Sequence, residues 1–149
     1  MGQQQLLLLV LATVIVGLAT VAGIQAFEQG SVRANQDALT QTAVKIASDM
    51  QANLKEPAQF GGAGLDVIGD YTSGDAPTLS ELGYSTNGSS EYVTEDGDCA
   101  IEEPDDGAGQ PSVENNSELI IVCESTDNEI AVGIDGLDSD GINTKSTTK

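Results

Sequence analysis

The chain has no histidine and no tryptophan, only two cysteines, four prolines and five lysines and arginines together in 149 residues. Without histidine the usual proton shuttle at neutral pH is missing, and with it the Ser-His and Cys-His arrangements of nucleophilic catalysis. Zinc is disfavoured for the same reason, because two cysteines do not complete a tetrahedral site. Five bases against 24 acids, a formal charge of -19, leave no basic patch to meet phosphates, so nucleic acid is not an expected partner. Aromatics are 3% of residues and no haem attachment motif is present, which gives electron conduction little support. Gly61-Gly62-Ala63-Gly64 lacks the lysine and the following helix pattern of a phosphate loop. Carboxylates abound, but no spacing singles out an acid and a base. Neither enzymatic activity nor a cofactor is expected.

What is present is unevenly placed. Through Lys55 the acids Glu28, Asp37 and Asp49 are balanced by Arg33, Lys45 and Lys55. The other 21 of the 24 acids fall from Glu56 onward against Lys145 and Lys149, so this part carries the whole charge of -19. A neutral segment suits lipid or packing against copies of itself, because like charges repel strongly in a low dielectric. An acidic segment suits solvent, and a saline habitat in particular, since the Debye length shrinks to about 3 Å at 1 M salt. The chain therefore divides into a helical stalk over residues 1–55 and an acidic domain over 56–149.

From Leu6 to Ile24 run nineteen residues with no charge, no proline and threonine as the sole polar side chain. That is long enough to cross a bilayer as a helix. No base precedes it in Met1-Gly2-Gln3-Gln4-Gln5, so it is expected to be retained rather than removed as a secretory signal. Apolar residues continue at Phe27, Leu39, Ala43, Ile46, Met50 and Leu54, mostly at the three- and four-residue steps of an amphipathic helix. The first proline is Pro57, and the glycine run after it supplies the stop. A helix from about residue 2 to 55 would be roughly 80 Å long, of which about 30 Å fits a bilayer core.

Small residues recur at Ala22, Ala26, Gly30, Ala34 and Ala38, an i+4 ridge that lets another helix approach closely. Alanine is also simply a good helix former, which is the plainer reading. Glycine argues for the ridge, because Gly17, Gly23 and Gly30 each cost around 1 kcal/mol against alanine and need close packing or local unwinding to justify them.

A neutral apolar N-terminal helix that continues as an amphipathic stalk into a small polar domain resembles the type IV pilin superfamily. The resemblance implies a helical homopolymer whose core is a bundle of these helices, with the acidic domains outside. It further implies a pool in the inner or cytoplasmic membrane, assembly by a dedicated machinery driven by a cytoplasmic ATPase, and a final place on the cell surface. The expected assembly interface is Met1, Gln5, Leu6, Leu9, Ile15, Gly17, Ala22, Gly23, Ala26, Phe27, Gly30, Ala34 and Ala38. Gln5 stands where the family carries an acid, and no proline interrupts the helix; pilins are usually made with a basic leader ending in glycine, so either Met1 begins the processed chain or the usual processing does not apply. The first acid is Glu28, so a buried Met1 ammonium is expected to be modified, to lie near water, or to meet Gln3, Gln4 or Gln5 of a neighbour. The glutamines read equally as a polar flank at a membrane interface. Two other functional readings share the same build: a singly anchored surface protein whose head binds a ligand or partner, and a minor pseudopilin of a secretion apparatus.

The acidic part reads as short strands. Tyr92–Glu95, Asp96-Gly97 and Asp98–Ile101 have the form of a hairpin with an Asp-Gly turn. Glu118–Cys123 leads through Ser125-Thr126-Asp127-Asn128 into Ile130–Ile134 as a second hairpin. Asp66–Tyr71 suggests an edge strand, and Glu102–Ser117, rich in Pro, Gly, Asp and Asn, a loop. Cys99 and Cys123 are expected to form a disulfide in an oxidising exterior, two buried thiols being the alternative. The expected fold class is α+β, one long N-terminal helix followed by a small antiparallel β-rich head. So little apolar bulk requires Ile46, Met50 and Leu54 of the stalk to complete the head's core.

Three modification or ligand readings remain. Asp135, Asp138, Asp140 and Asn143, with glycine turns between them, offer the oxygens that calcium takes, although Ile142 and the lack of a closing glutamate depart from an EF-hand. Chance clustering among so many acids explains them as well. Asn87-Gly88-Ser89 and Asn115-Asn116-Ser117 are N-glycosylation acceptors, and Ser146-Thr147-Thr148 offers hydroxyls for O-linked sugar.

Overall fold

A computed structural model describes residues 2–65, 77–88, 90–102, 119–137 and 140–148. The strand expected at Asp66–Tyr71, nearly all of the loop expected at Glu102–Ser117, and the single residues Met1, Asn115 and Asp138 lie outside these described residues.

Helix α1 spans Gly2–Lys55, 54 residues without a break, as the absence of proline and the apolar spacing require. Lys55 sits in its last turn, where a cation meets the negative end of the helix dipole. The terminal carbonyls are satisfied by the chain turning back on itself. Ala63 N donates to Asn53 O at 3.3 Å, Gly64 N to Glu56 O at 2.9 Å and Leu65 N to Leu54 O at 2.8 Å. Gly62 permits this turn, because a Cβ there would fall on the carbonyl oxygens of Glu56 and Asn53. A short 3-10 turn, Ala58–Phe60, lies within it.

Among the described residues five strands follow: β1 Tyr92–Val93, β2 Asp98–Glu102, β3 Leu119–Glu124, β4 Asn128–Ile134 and β5 Ile142–Thr148. They form one antiparallel sheet in the order β1-β2-β3-β4-β5, so every strand lies beside its neighbour in sequence. The fold class is α+β, and both expected hairpins are present. Gly97 closes the first. A Cβ at this position would collide with the backbone carbonyl of Glu124 and come within 3.0 Å of Leu39 Cδ2. Strand β5 was not expected, because Ile142 is its one apolar residue.

The sheet alternates with period 2, and α1 with period 3.6, so that each offers one apolar face. Leu39, Ala43, Ile46, Ala47, Met50 and Leu54 of α1 form one buried cluster with Cys99, Leu119, Ile121, Cys123, Ile130, Val132 and Ile134 of the sheet. Burying a large apolar side chain is worth about 1.5–3 kcal/mol, and the helix supplies four of them, Leu39, Ile46, Met50 and Leu54, each fully inaccessible. Cys99 and Cys123, directly opposite in the β2–β3 register, are joined by a disulfide with Cα atoms 4.0 Å apart. The bond thus links the two hairpins through the middle of the core.

The compact units divide inside α1, into residues 1–34 and 35–149, whereas the sequence division at residue 55 follows the end of the helix. Asn35 supplies a physical cause for that boundary. Its Nδ2 donates to Asp96 O at 2.7 Å in the first hairpin turn, and its Oδ1 accepts from Ser125 Oγ at 2.8 Å and Asn128 Nδ2 at 3.1 Å in the second. One side chain therefore ties α1 to both turns.

Candidate functional site

Within residues 2–31 every side chain is exposed. Leu6, Leu9, Ile15 and Phe27 are 65%, 62%, 57% and 79% exposed, and no large apolar residue between Leu6 and Phe27 is less than half exposed. A contiguous apolar surface of this extent on a soluble chain marks an interaction with lipid or with protein. The polar groups inside it are already satisfied: Thr13 Oγ1 donates to Val10 O at 2.9 Å and Thr20 Oγ1 to Val16 O at 2.6 Å. With its backbone bonds internal and its hydroxyls returned to the helix, this segment meets the condition for lying in lipid. It is a helix long and apolar enough to cross a membrane.

Of the expected interface residues, Gln5, Leu6, Leu9, Ile15, Gly17, Ala22, Gly23, Ala26, Phe27, Gly30 and Ala34 all lie exposed on the unit formed by residues 1–34. Ala38 is half-buried in the other unit, and Met1 lies outside the described residues. A Cβ added at Gly17, Gly23 or Gly30 would meet nothing within 4 Å. Nothing inside the described chain therefore offsets the roughly 1 kcal/mol that each glycine costs an α-helix.

The sheet unit has a second face. Ile120, Val122 and Ala131 form a small buried cluster on the side away from α1. Along one edge of this face Asp98, Glu124 and Glu129 stand directly opposite one another across β2, β3 and β4, an arrangement in which like charges destabilise a sheet. A hollow of about 250 Å³ opens between Glu91, Asp98, Glu102 and Glu124, with Ala100 and Val122 on its floor. Burial raises the Glu102 carboxyl above its ordinary range, and the charges of Glu124 and Glu129 push it further the same way. The acid ladder was not legible beforehand. It needs the strand register, which composition does not give.

The segment preceding β1 is held to α1 by aromatic contacts that sequence reading also missed. Tyr84 Oη donates to Asp49 Oδ2 at 2.5 Å, its ring packs edge-on to Tyr92 at 4.9 Å between centroids, and Lys45 Nζ stands 5.5 Å from that ring in cation-π geometry. Burial first, then the Asp49 hydrogen bond, raises the Tyr84 phenol well above its ordinary value. Nearby, Glu81 accepts from Thr78 N at 2.7 Å and Thr78 Oγ1 at 2.9 Å, bonds that lower its carboxyl. The Thr-x-x-Glu spacing was the available signal for that turn.

Two groups in the oxygen-rich stretch after β4 engage neighbours within the chain. Asp135 Oδ2 accepts from Asn143 Nδ2, while Asp135 Oδ1 is buried without a hydrogen-bond partner. Gly136 O accepts from Gln51 Nε2 at 2.6 Å. Asp140 is exposed, and Asp138 lies outside the described residues. Among the described residues no group of three or more His, Cys, Asp or Glu side chains is placed to hold a metal ion. Of the two sequence acceptors for N-linked sugar, Asn87 is exposed and its amide donates to Glu91 Oε2 at 2.9 Å; Ser89 of that acceptor and Asn115 of the other lie outside the described residues.

Comparison with family models, with curated proteins and with solved structures finds no match.

Proposed function

We propose that this chain is a structural subunit of a pilus-like surface filament, polymerising through the N-terminal part of α1 with its acidic sheet units facing solvent. The carrying observation is that every large apolar residue from Leu6 to Phe27 is more than half exposed, whereas the sheet unit has a buried core of its own. The first unit is neutral, and among the described residues nothing covers its surface from residue 2 to 31. The second carries the charge and needs no further cover for its core. A bilayer would hold the first before assembly, and copies of the same helix would hold it afterward.

Two details support copies over lipid as the final environment. The glycines at 17, 23 and 30 have open space around them, which close helix-to-helix approach would use. Past Ile24 the exposed surface also continues to Phe27 and to the small residues Ala26, Gly30 and Ala34, beyond what one span requires. On this reading the protein is type IV pilin-like, it acts by assembly rather than catalysis, and its disulfide suits an extracellular location.

A singly anchored surface protein is the competing reading, favoured by the fact that a bilayer alone also covers an apolar helix. Electron microscopy of sheared cell-surface material, with mass spectrometry of the recovered filaments, decides between them. Filaments built of this chain are expected. Recovery of the chain only as a membrane-bound monomer would remove the filament reading and leave the anchor.

A further inference from the structure

The unit formed by residues 1–34 carries two charged side chains, Glu28 and Arg33. Both are exposed, and within the described residues no hydrogen bond or ion pair engages either one. Five residues along an α-helix amount to about 140° around the axis and about 7.5 Å along it. Neighbours on a helix surface are three or four apart, so Glu28 and Arg33 stand on different sides and do not meet on their own helix. Asp37 follows Arg33 by one turn, in the basic-before-acidic order that supports a helix least.

We infer that Glu28 of one copy pairs with Arg33 of an adjacent copy when α1 helices pack in parallel, and that this pairing sets their axial register. The inference rests on the filament reading and names its internal geometry. If two parallel copies lay level, the acids would lie in one layer and the bases in another, with no base at the height of Glu28. A shift of five residues, about 7.5 Å, brings opposite charges level instead. Charges taken out of water between apolar helices are costly unless paired, so the shifted register is favoured over the level one.

Placing the acid and the base on different sides of one helix has a second consequence. Each copy would offer Glu28 to one neighbour and Arg33 to another, a heterologous contact that gives a ring or an open helical array rather than a two-fold dimer, the filament reading requiring the open array. Gly30 lies between the two charges with open space around it, and Ala26 and Ala34 are exposed one turn to either side. Small residues there let the helix axes approach closely enough for a carboxylate and a guanidinium to span the gap.

Charge exchange in the full chain tests this. The variants are Glu28→Arg, Arg33→Glu and the double exchange, with filament yield read by sedimentation and electron microscopy and membrane content by fractionation. Each single exchange is expected to lower filament yield tenfold or more while the chain remains in the membrane, and the double exchange to restore it to within about twofold. In a reconstruction of the filament, contacting copies should be offset by about 7.5 Å. Single exchanges that assemble like the parent, or a double exchange that does not recover, would overturn the pairing while filaments of the parent still upheld the assembly reading. If the unsubstituted chain forms no filament, the assembly reading falls and the pairing with it.

Discussion

Residues 1–34 and residues 35–149 solve the same physical problem in opposite ways. The sheet unit turns its apolar side chains inward, and Leu39, Ile46, Ile121 and Val132 are among those with no accessible surface. The first unit turns every apolar side chain from residue 2 to 31 outward. Both belong in part to the same continuous helix, so the difference does not come from secondary structure. It comes from which residues find a partner within the chain: from Asn35 onward α1 lies against a sheet, and its stripe of apolar residues is used. Before that point the apolar residues surround the axis rather than forming a stripe, a pattern that suits burial on all sides. The lesson is that a helix can be one element in geometry and two in energetics.

The comparison is broken most sharply by a charge in the exposed stretch. Leu11→Arg should cost about 2.5–3.5 kcal/mol for insertion at a helix centre, and on the proposed reading it abolishes assembly. Thermal unfolding of the sheet unit should be unchanged, measured by circular dichroism of the full chain in detergent. A loss of both would show that the units are energetically one.

Replacing Cys99 and Cys123 together by alanine should do the reverse. The bond spans 24 residues of sequence, for which chain entropy gives about 3.5 kcal/mol. Chemical denaturation should show the sheet unit weakened by that order while membrane partition stays as it was.

A gentler pair of substitutions contrasts the two halves of α1 directly. Ile46→Val removes one methylene from a fully buried site and should lower sheet-unit stability by about 1 kcal/mol. Ile15→Val, at a residue 57% exposed, should leave it unmoved. Equal effects would contradict the division at residues 34 and 35.

The smallest expected effect concerns the acidic face. The Glu102 carboxyl is raised by burial and by Glu124 and Glu129. Folding therefore gains from its protonated form, and that gain is present below the ordinary carboxylate range and lost as pH rises through the raised value. Glu102→Gln should stabilise the protein at pH 7 by about 0.2–0.5 kcal/mol after solvent screening. The advantage should fade on acidification below the ordinary carboxylate range and shrink in high salt. Melting curves across pH and salt check both, and an advantage that grows on acidification would reverse the assignment.

Much of this architecture was legible in advance because the relevant signals are local. The helix follows from proline-free sequence and apolar spacing, the first hairpin from Asp96-Gly97, the second from two apolar runs around Ser125-Thr126-Asp127-Asn128, and the disulfide from two cysteines with no third ligand. The role of Ile46, Met50 and Leu54 in the core was also read correctly, since a domain so poor in apolar bulk had to borrow some. Strand β5 escaped because its residues are Asn, Thr, Lys and Ser after Ile142. A strand with one paired edge and little apolar content carries almost no periodic signal. The oxygen-rich composition around Asp135 and Asn143 was visible in sequence, but their mutual hydrogen bond was not, because it joins residues eight apart in the chain.

What the sequence by itself determined is the polarity of the molecule: a neutral helix that no water would choose to surround, and an acidic part that no bilayer would accept. Those are sums over side chains, and summation needs no coordinates. Only the tertiary structure decided where along α1 the one regime gives way to the other, and which acids face each other across the sheet. Both depend on contacts between residues far apart in the chain, Asn35 with Ser125 and Asn128, and Asp98 with Glu124 and Glu129. Such contacts are fixed by strand register and helix rotation together, and neither quantity resides in any local stretch of sequence.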